Sequence, residues 1–262
     1  MVTRNAPWPA GTPCWVDLGV DDVDRGAAFY SAVFGWRVDE GPPEAGGYRM
    51  CTKNGLVVAG LGAKQSPDQP SVWTTYLATE DADETVRKIN AAGGKVLVEA
   101  IDVMNVGRMA IAADTDGAVF GIWQSRAHTG MQLANEPGSV TWNENMSRDF
   151  DGNKAFYQAV FGYDYDDMSG GGFTYATFKV GGESRGGLGE LGKDTPMNVP
   201  ANWTTYFSVA DTDATVAKAS ELGGNVLSPA EDTEFGRMAI LTDDQGSIFA
   251  VVDQSAMDTD QS

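Results

Sequence analysis

Residues 14–20 read Cys-Trp-Val-Asp-Leu-Gly-Val, an alternating run that predicts a strand with Trp15 and Asp17 on one face and Cys14 on the other. An acidic turn, Asp21-Asp-Val-Asp24, follows, and then Ala28, Phe29, Ala32 and Val33 recur at helical spacing. Residues 72–79 repeat the plan: an apolar β-rich run, then Glu80-Asp-Ala-Asp83, then a helix carrying Val86, Ile89 and Ala92 that Gly93 and Gly94 end. The acids stand where a carboxylate accepts the free N–H groups of a helix start and favours the positive end of its dipole, which makes them caps before anything else. Short strands are expected around residues 48–52, 56–61, 95–101, 108–112 and 118–123, separated by Gly, Pro and Asn turns. Each half of this stretch is therefore one βαβββ unit.

The whole pattern then returns. Ala28-Phe-Tyr-Ser-Ala-Val-Phe-Gly-Trp36 reappears as Ala155-Phe-Tyr-Gln-Ala-Val-Phe-Gly-Tyr163, Trp73-Thr-Thr-Tyr76 as Trp203-Thr-Thr-Tyr206, and Gly107-Arg-Met-Ala-Ile111 unchanged as Gly236-Arg-Met-Ala-Ile240. A spacing of about 130 residues is far too long for a solenoid repeat and suits a duplicated globular domain. The expected architecture is α+β, with two tandem domains at 10–128 and 137–255, each of two βαβββ units forming a half-open curled sheet with helices outside. Residues 128–138, which include His128, read as the linker, and 256–262 as a small, polar, frayed tail.

Composition narrows the function. With 42% hydrophobic residues, the 262-residue chain can bury real cores without a staple. Its two cysteines, Cys14 and Cys51, both fall in the first copy, so no disulfide repeats with the fold, and a reduced, cytoplasmic setting is expected. A net charge of −19, spread along both copies, argues against nucleic acid or an anionic membrane as partner. No apolar run is long enough to span a bilayer. A phosphate-cradling loop and a dinucleotide fingerprint are also missing, and His128, the single histidine, rules out a Ser/His/Asp or Cys/His nucleophile site.

The strand, acidic turn, helix ending Ala-Phe-Tyr-x-x-Val-Phe-Gly-aromatic, and later Asp-x-x-Gly-x-x-Phe (Asp114 to Phe120, Asp243 to Phe249) resemble the vicinal oxygen chelate superfamily of glyoxalase I, bleomycin-resistance proteins and extradiol dioxygenases. The resemblance covers nearly the whole chain and is nearest to a bacterial tandem-domain branch catalogued as glyoxalase-like proteins or hydroxylases. It implies a half-open barrel, which in the family's metalloenzymes holds a divalent metal on His, Gln or Glu. Those positions fall here near Trp15, Gly60, Thr74 and Gly121, and in the second copy near Trp142, Gly189, Thr204 and Ala250. None is a usual ligand, so no metal and no cofactor are expected.

What remains is aromatic and acidic. Trp15, Trp73, Tyr76 and Trp123, with Trp142, Trp203 and Tyr206, are candidate ligand-binding residues, and Arg108 and Arg237 are candidates either for a ligand clamp or for structural ion pairs. Asp17 and Glu144, each two residues beyond a tryptophan, are candidate catalytic acids or bases, because a carboxylate between indoles has its pKa raised by desolvation. Three functions fit. The first is a metal-independent binder of a hydrophobic or aromatic small molecule, acting in antibiotic-like sequestration or secondary metabolism. The second is a cofactor-free lyase, isomerase, hydrolase or hydroxylase acting on a polyketide-like or reactive carbonyl compound. The third is an interaction protein whose cavity is filled by its own Trp and Tyr side chains. A monomer suffices, since each domain can close its own curl, and a dimer is left open.

Overall fold

The computed structural model describes residues 2–255, so the expected tail at 256–262 lies outside the described residues. The short strand β1 (Val2–Thr3) precedes the first copy. That copy comprises β2 (Pro13–Val20), α1 (Val23–Phe34), β3 (Arg37–Asp39), β4 (Arg49–Lys53), β5 (Leu56–Ala63), β6 (Trp73–Ala78), α2 (Ala82–Ala91), β7 (Lys95–Val103), β8 (Gly107–Ala113) and β9 (Val119–Ser125). After β10 (Leu133–Ala134) the second copy follows as β11 (Val140–Ser147), α3 (Phe150–Phe161), β12 (Asp164–Asp167), β13 (Tyr175–Val180), β14 (Glu183–Glu190), β15 (Asn202–Ser208), α4 (Thr212–Glu221), β16 (Asn225–Thr233), β17 (Gly236–Thr242) and β18 (Ile248–Asp253).

Two open eight-stranded mixed sheets result, in the orders β3-β4-β5-β2-β6-β9-β8-β7 and β12-β13-β14-β11-β15-β18-β17-β16. The fold is α+β, as expected. The acidic turns do cap: Asp22, Asp81, Asp149 and Asp211 each accept a backbone N–H from the first turn of α1, α2, α3 and α4. The short strand β3, whose three residues alternate outward and carry no apolar run, has no counterpart among the expected strands. The linker is not featureless either, because β10 pairs with β1.

The helices occupy the convex side of each sheet, where they meet the other copy. Phe29 of α1 packs against Phe249 of β18, and Phe120 of β9 against Phe156 and Tyr157 of α3. Both large apolar clusters consequently mix residues from the two copies. Reciprocal hydrogen bonds join them. The Tyr30 hydroxyl donates to Asp243 Oδ2 (3.1 Å) and the Tyr157 hydroxyl to Asp114 Oδ2 (3.0 Å). The other oxygen of each aspartate accepts two N–H groups of its own turn, from Gln245 and Ser247 and from Asp116 and Ala118. The two recurrent sequence motifs are thus the two ends of one contact, made twice.

Asn145 also donates to Asp114 Oδ2 (3.0 Å), whereas Tyr30 is the side-chain donor to Asp243 Oδ2 among the described residues. Tyr30→Phe therefore leaves a buried carboxylate oxygen without a donor and is expected to cost about 1–3 kcal/mol, while Tyr157→Phe costs less. Denaturant unfolding of both variants checks the order.

Candidate functional site

On the concave face of the first sheet, Trp15 and Asp17 project together from β2. Asp17 lies between Gly60 of β5 and Thr74 of β6 in register. Two phenols converge on its Oδ2: Tyr76 at 3.1 Å and Tyr48, just before β4, at 3.2 Å. Trp15 Nε1 donates to the Tyr48 hydroxyl at 3.0 Å, completing an indole–phenol–carboxylate chain. The second copy builds the same chain. Glu144 lies between Gly187 and Thr204, and its two carboxylate oxygens accept from Tyr206 (2.5 Å) and Tyr175 (3.0 Å), while Trp142 Nε1 donates to the Tyr175 hydroxyl (2.9 Å). The counterpart of Gly60 is therefore Gly187 rather than Gly189, a two-residue shift from the sequence-based expectation.

Glycines make these chains fit. A Cβ on Gly60 or Gly187 would collide with the hydroxyl of Tyr48 or Tyr175, and one on Gly121 with the ring of Tyr76. Tyr48 and Tyr175 were missed among the candidate residues. The signal was present, since each lies 31 residues after its carboxylate and is retained in both copies, but agreement between the copies reads first as scaffold. Burial is the main cause that pushes Asp17 up to about 7, opposed by the two phenolic donors. Glu144 is raised by the same cause. The phenols of Tyr48, Tyr76, Tyr175 and Tyr206 are raised by burial and by the adjacent carboxylate, so they remain donors.

The remaining candidates divide. Trp123 shares the concave face, its ring lying over Gly107. Trp73 and Trp203 do not: their indoles donate to Tyr30 (3.0 Å) and Tyr157 (2.9 Å) within the contact between the copies, because strand alternation sends them to the helix side. Arg108 and Arg237 also face the helices. They pair with Asp83 and Asp102 (2.9 and 3.1 Å) and with Asp213 and Asp232 (2.6 and 3.0 Å), the ion-pair alternative rather than the clamp. His128 does not stay in the linker. Its ring meets Trp15 edge-on at 4.4 Å and Trp123 at 5.4 Å, and burial lowers it to about 4. Cys14 and Cys51 are buried and unbonded to each other. Two surface clefts of about 450 and 480 Å³ open beside Trp8, Glu80 and Trp123 and beside Arg148, Lys154 and Glu190, and neither is lined by Asp17 or Glu144.

Two eight-stranded open curls in tandem, each with a carboxylate at its centre, frame the comparison with known proteins. The family model described as the Glyoxalase/Bleomycin resistance protein/Dioxygenase superfamily matches residues 14–122 and 144–251. The chain belongs to this superfamily. Among its relatives, CFP32 of Mycobacterium tuberculosis, provisionally named a glyoxylase, is 40% identical over 95% of this chain and 97% of that protein. The anthracycline biosynthesis protein DnrV of Streptomyces peucetius is 37% identical over 96% and 95%. Among solved structures, the Mn(II)-bound glyoxalase from Novosphingobium aromaticivorans superposes with a TM-score of 0.65 at 15% identity, covering 94% of this chain and 83% of that one, a likeness of fold.

A divalent metal is a common resident of this superfamily, and the residues here do not fit one. Each concave face offers one carboxylate, already engaged by two phenols, and the strand positions around it are a threonine (Thr74 or Thr204), glycines covered by tyrosine rings and, at Ala250, an alanine. No group of three His, Cys, Asp or Glu side chains with metal-binding geometry occurs among the described residues. No helix among them is long and apolar enough to cross a membrane.

Asp17 also dictates a pH dependence. Below its unfolded pKa of about 4 it is protonated in both states and contributes no difference. Between there and about 7 the folded state holds a proton that the unfolded state has released, so stability falls as pH rises, and the loss is complete above that window. Wild type should thus lose ground to Asp17→Asn between pH 4 and 7 and run parallel to it above. Melting temperatures collected across pH 4–9 decide this, and parallel curves throughout would contradict the assignment.

Proposed function

We propose that the protein is a metal-independent binder of a hydrophobic, aromatic small molecule, held on the concave faces between indole and phenol rings and oriented by the Asp17 or Glu144 carboxylate. The observation that carries this reading is the indole–phenol–carboxylate chain itself. It presents flat apolar rings around one acceptor and has no remaining set of metal donors. Ring faces gain from burial against a planar ligand, and a carboxylate gives that ligand's hydroxyl a charge-assisted hydrogen bond. Two relatives named for anthracycline biosynthesis, DauV of Streptomyces sp. strain C5 at 38% identity and DnrV at 37%, support a planar aromatic polyketide as the ligand class and a role in secondary metabolism, with sequestration as the mode of action. The setting we propose is cytoplasmic, and the working unit a monomer.

A second reading draws on Asp17. A carboxyl poised at about 7 beside two phenols is matched to take a proton from an acidic C–H or phenol, which would make the protein a cofactor-free enzyme with Asp17 or Glu144 as general base. Tryptophan-fluorescence titration with hydroxylated polycyclic aromatics, followed by mass analysis of the mixture, separates the two. The binder gives saturable quenching that a chelator leaves unchanged, with the ligand recovered intact. A product that disappears in Asp17→Asn or Glu144→Gln while binding persists would establish the enzyme instead.

A further inference from the structure

The two concave faces share carboxylate, tyrosine pair and indole, but differ in what stands beside the indole. In the first copy, Trp123 lies over Gly107 and donates from Nε1 to the His128 carbonyl (2.9 Å), while the His128 N–H donates to Val106 O (3.0 Å). These bonds draw the chain after β9 across the end of the sheet and set the imidazole edge-on against Trp15 at 4.4 Å. His128 Nε2 is buried there without a hydrogen-bond partner, and Trp15 is left 3% exposed.

In the second copy Val252 takes the place of Trp123. A side chain on Gly236, the counterpart of Gly107, would meet the backbone of Asp253 and Gln254 and no aromatic ring. Trp142 is only half-buried. It packs with half-buried Met238 and Ile240 against a small cluster of Tyr206, Ala250 and Val252, separate from both main cores. Met146, half-buried where the first copy has Gly19, extends this apolar surface with an adaptable side chain.

Resting on the binding function proposed above, we infer that the two faces have divided. The second-copy face, built on Trp142, Glu144, Tyr175 and Tyr206, takes the ligand, while in the first copy Trp123 and His128 fill the volume that the ligand would occupy. The matching ligand is an oxygenated planar polycycle. Its ring lies on the accessible Trp142 indole, and a ring hydroxyl donates to Glu144, which reaches one methylene further into the concavity than Asp17. Within one chain, the cavity filled by its own side chains and the working cavity are then both present.

The test uses the intact chain and 1,8-dihydroxyanthraquinone as probe, with stoichiometry from isothermal titration calorimetry. Wild type should bind one molecule per chain, and Trp142→Ala should weaken it at least about tenfold, roughly 1.4 kcal/mol. Glu144→Gln, which keeps the side chain's size, should weaken it as well and guards against a folding defect in the tryptophan variant. The double variant Trp123→Val, His128→Ala should open the first face and raise the ratio to two. A wild-type ratio of two, a single site indifferent to Trp142→Ala and Glu144→Gln, or a double variant that still binds one molecule would overturn the division and leave the binding function standing. Absence of binding by wild type and double variant alike would overturn both.

Discussion

The structure depends on a contact made twice, in which a tyrosine from the first helix of one copy reaches a buried aspartate in the last turn of the other. Each aspartate orders its own turn through two backbone N–H groups with one oxygen and receives the foreign phenol with the other. A buried carboxylate is tolerable only when its lone pairs are occupied, so neither turn is satisfied until the other copy is in place, its helix alone at Asp243 and its helix together with Asn145 of β11 at Asp114. Trp73 and Trp203 then donate to the same phenols and tie each contact to a central strand. Because both large apolar clusters draw on both copies, the sheets are halves of shared cores rather than separately closed units.

That arrangement places chemistry on one side only. The convex surfaces are consumed by helices and by the other copy, which leaves the concave surfaces to carry the carboxylates. There the scaffold is unusually small: Gly60, Gly121 and Gly187 lie beneath rings of Tyr48, Tyr76 and Tyr175. Removing side chains from the sheet lets phenols lie flat on backbone and point their hydroxyls at one oxygen pair. A protonic network thereby stands at the centre of a fold whose relatives include a Mn(II)-bound glyoxalase.

Much of this was legible from residue order. Duplication, the βαβββ plan apart from β3, the acidic helix caps and the shared facing of Trp15 with Asp17 all follow from local pattern, because alternation and capping are short-range properties. The failures were long-range. Nothing in the Trp-Thr-Thr-Tyr repeat tells which aromatic faces the helices, and strand pairing alone decides that Tyr76 looks inward while Trp73 looks out. Tyr48 stands at the start of an expected strand and just before β4, and only a curled sheet brings it to Asp17. His128, three residues beyond the end of β9, is folded back by a hydrogen bond from Trp123 that no spacing rule encodes.

The glycines under the tyrosines also bear on how such a chain can change. A histidine at Gly60 or Gly121, the positions from which a metal would be held, strikes Tyr48 or Tyr76, so it cannot be accepted while that tyrosine stays. Removing the tyrosine first strips a donor from a buried carboxylate and is penalised at once. Both single steps descend before the pair can rise, so a histidine donor can enter either position only together with replacement of the tyrosine above it.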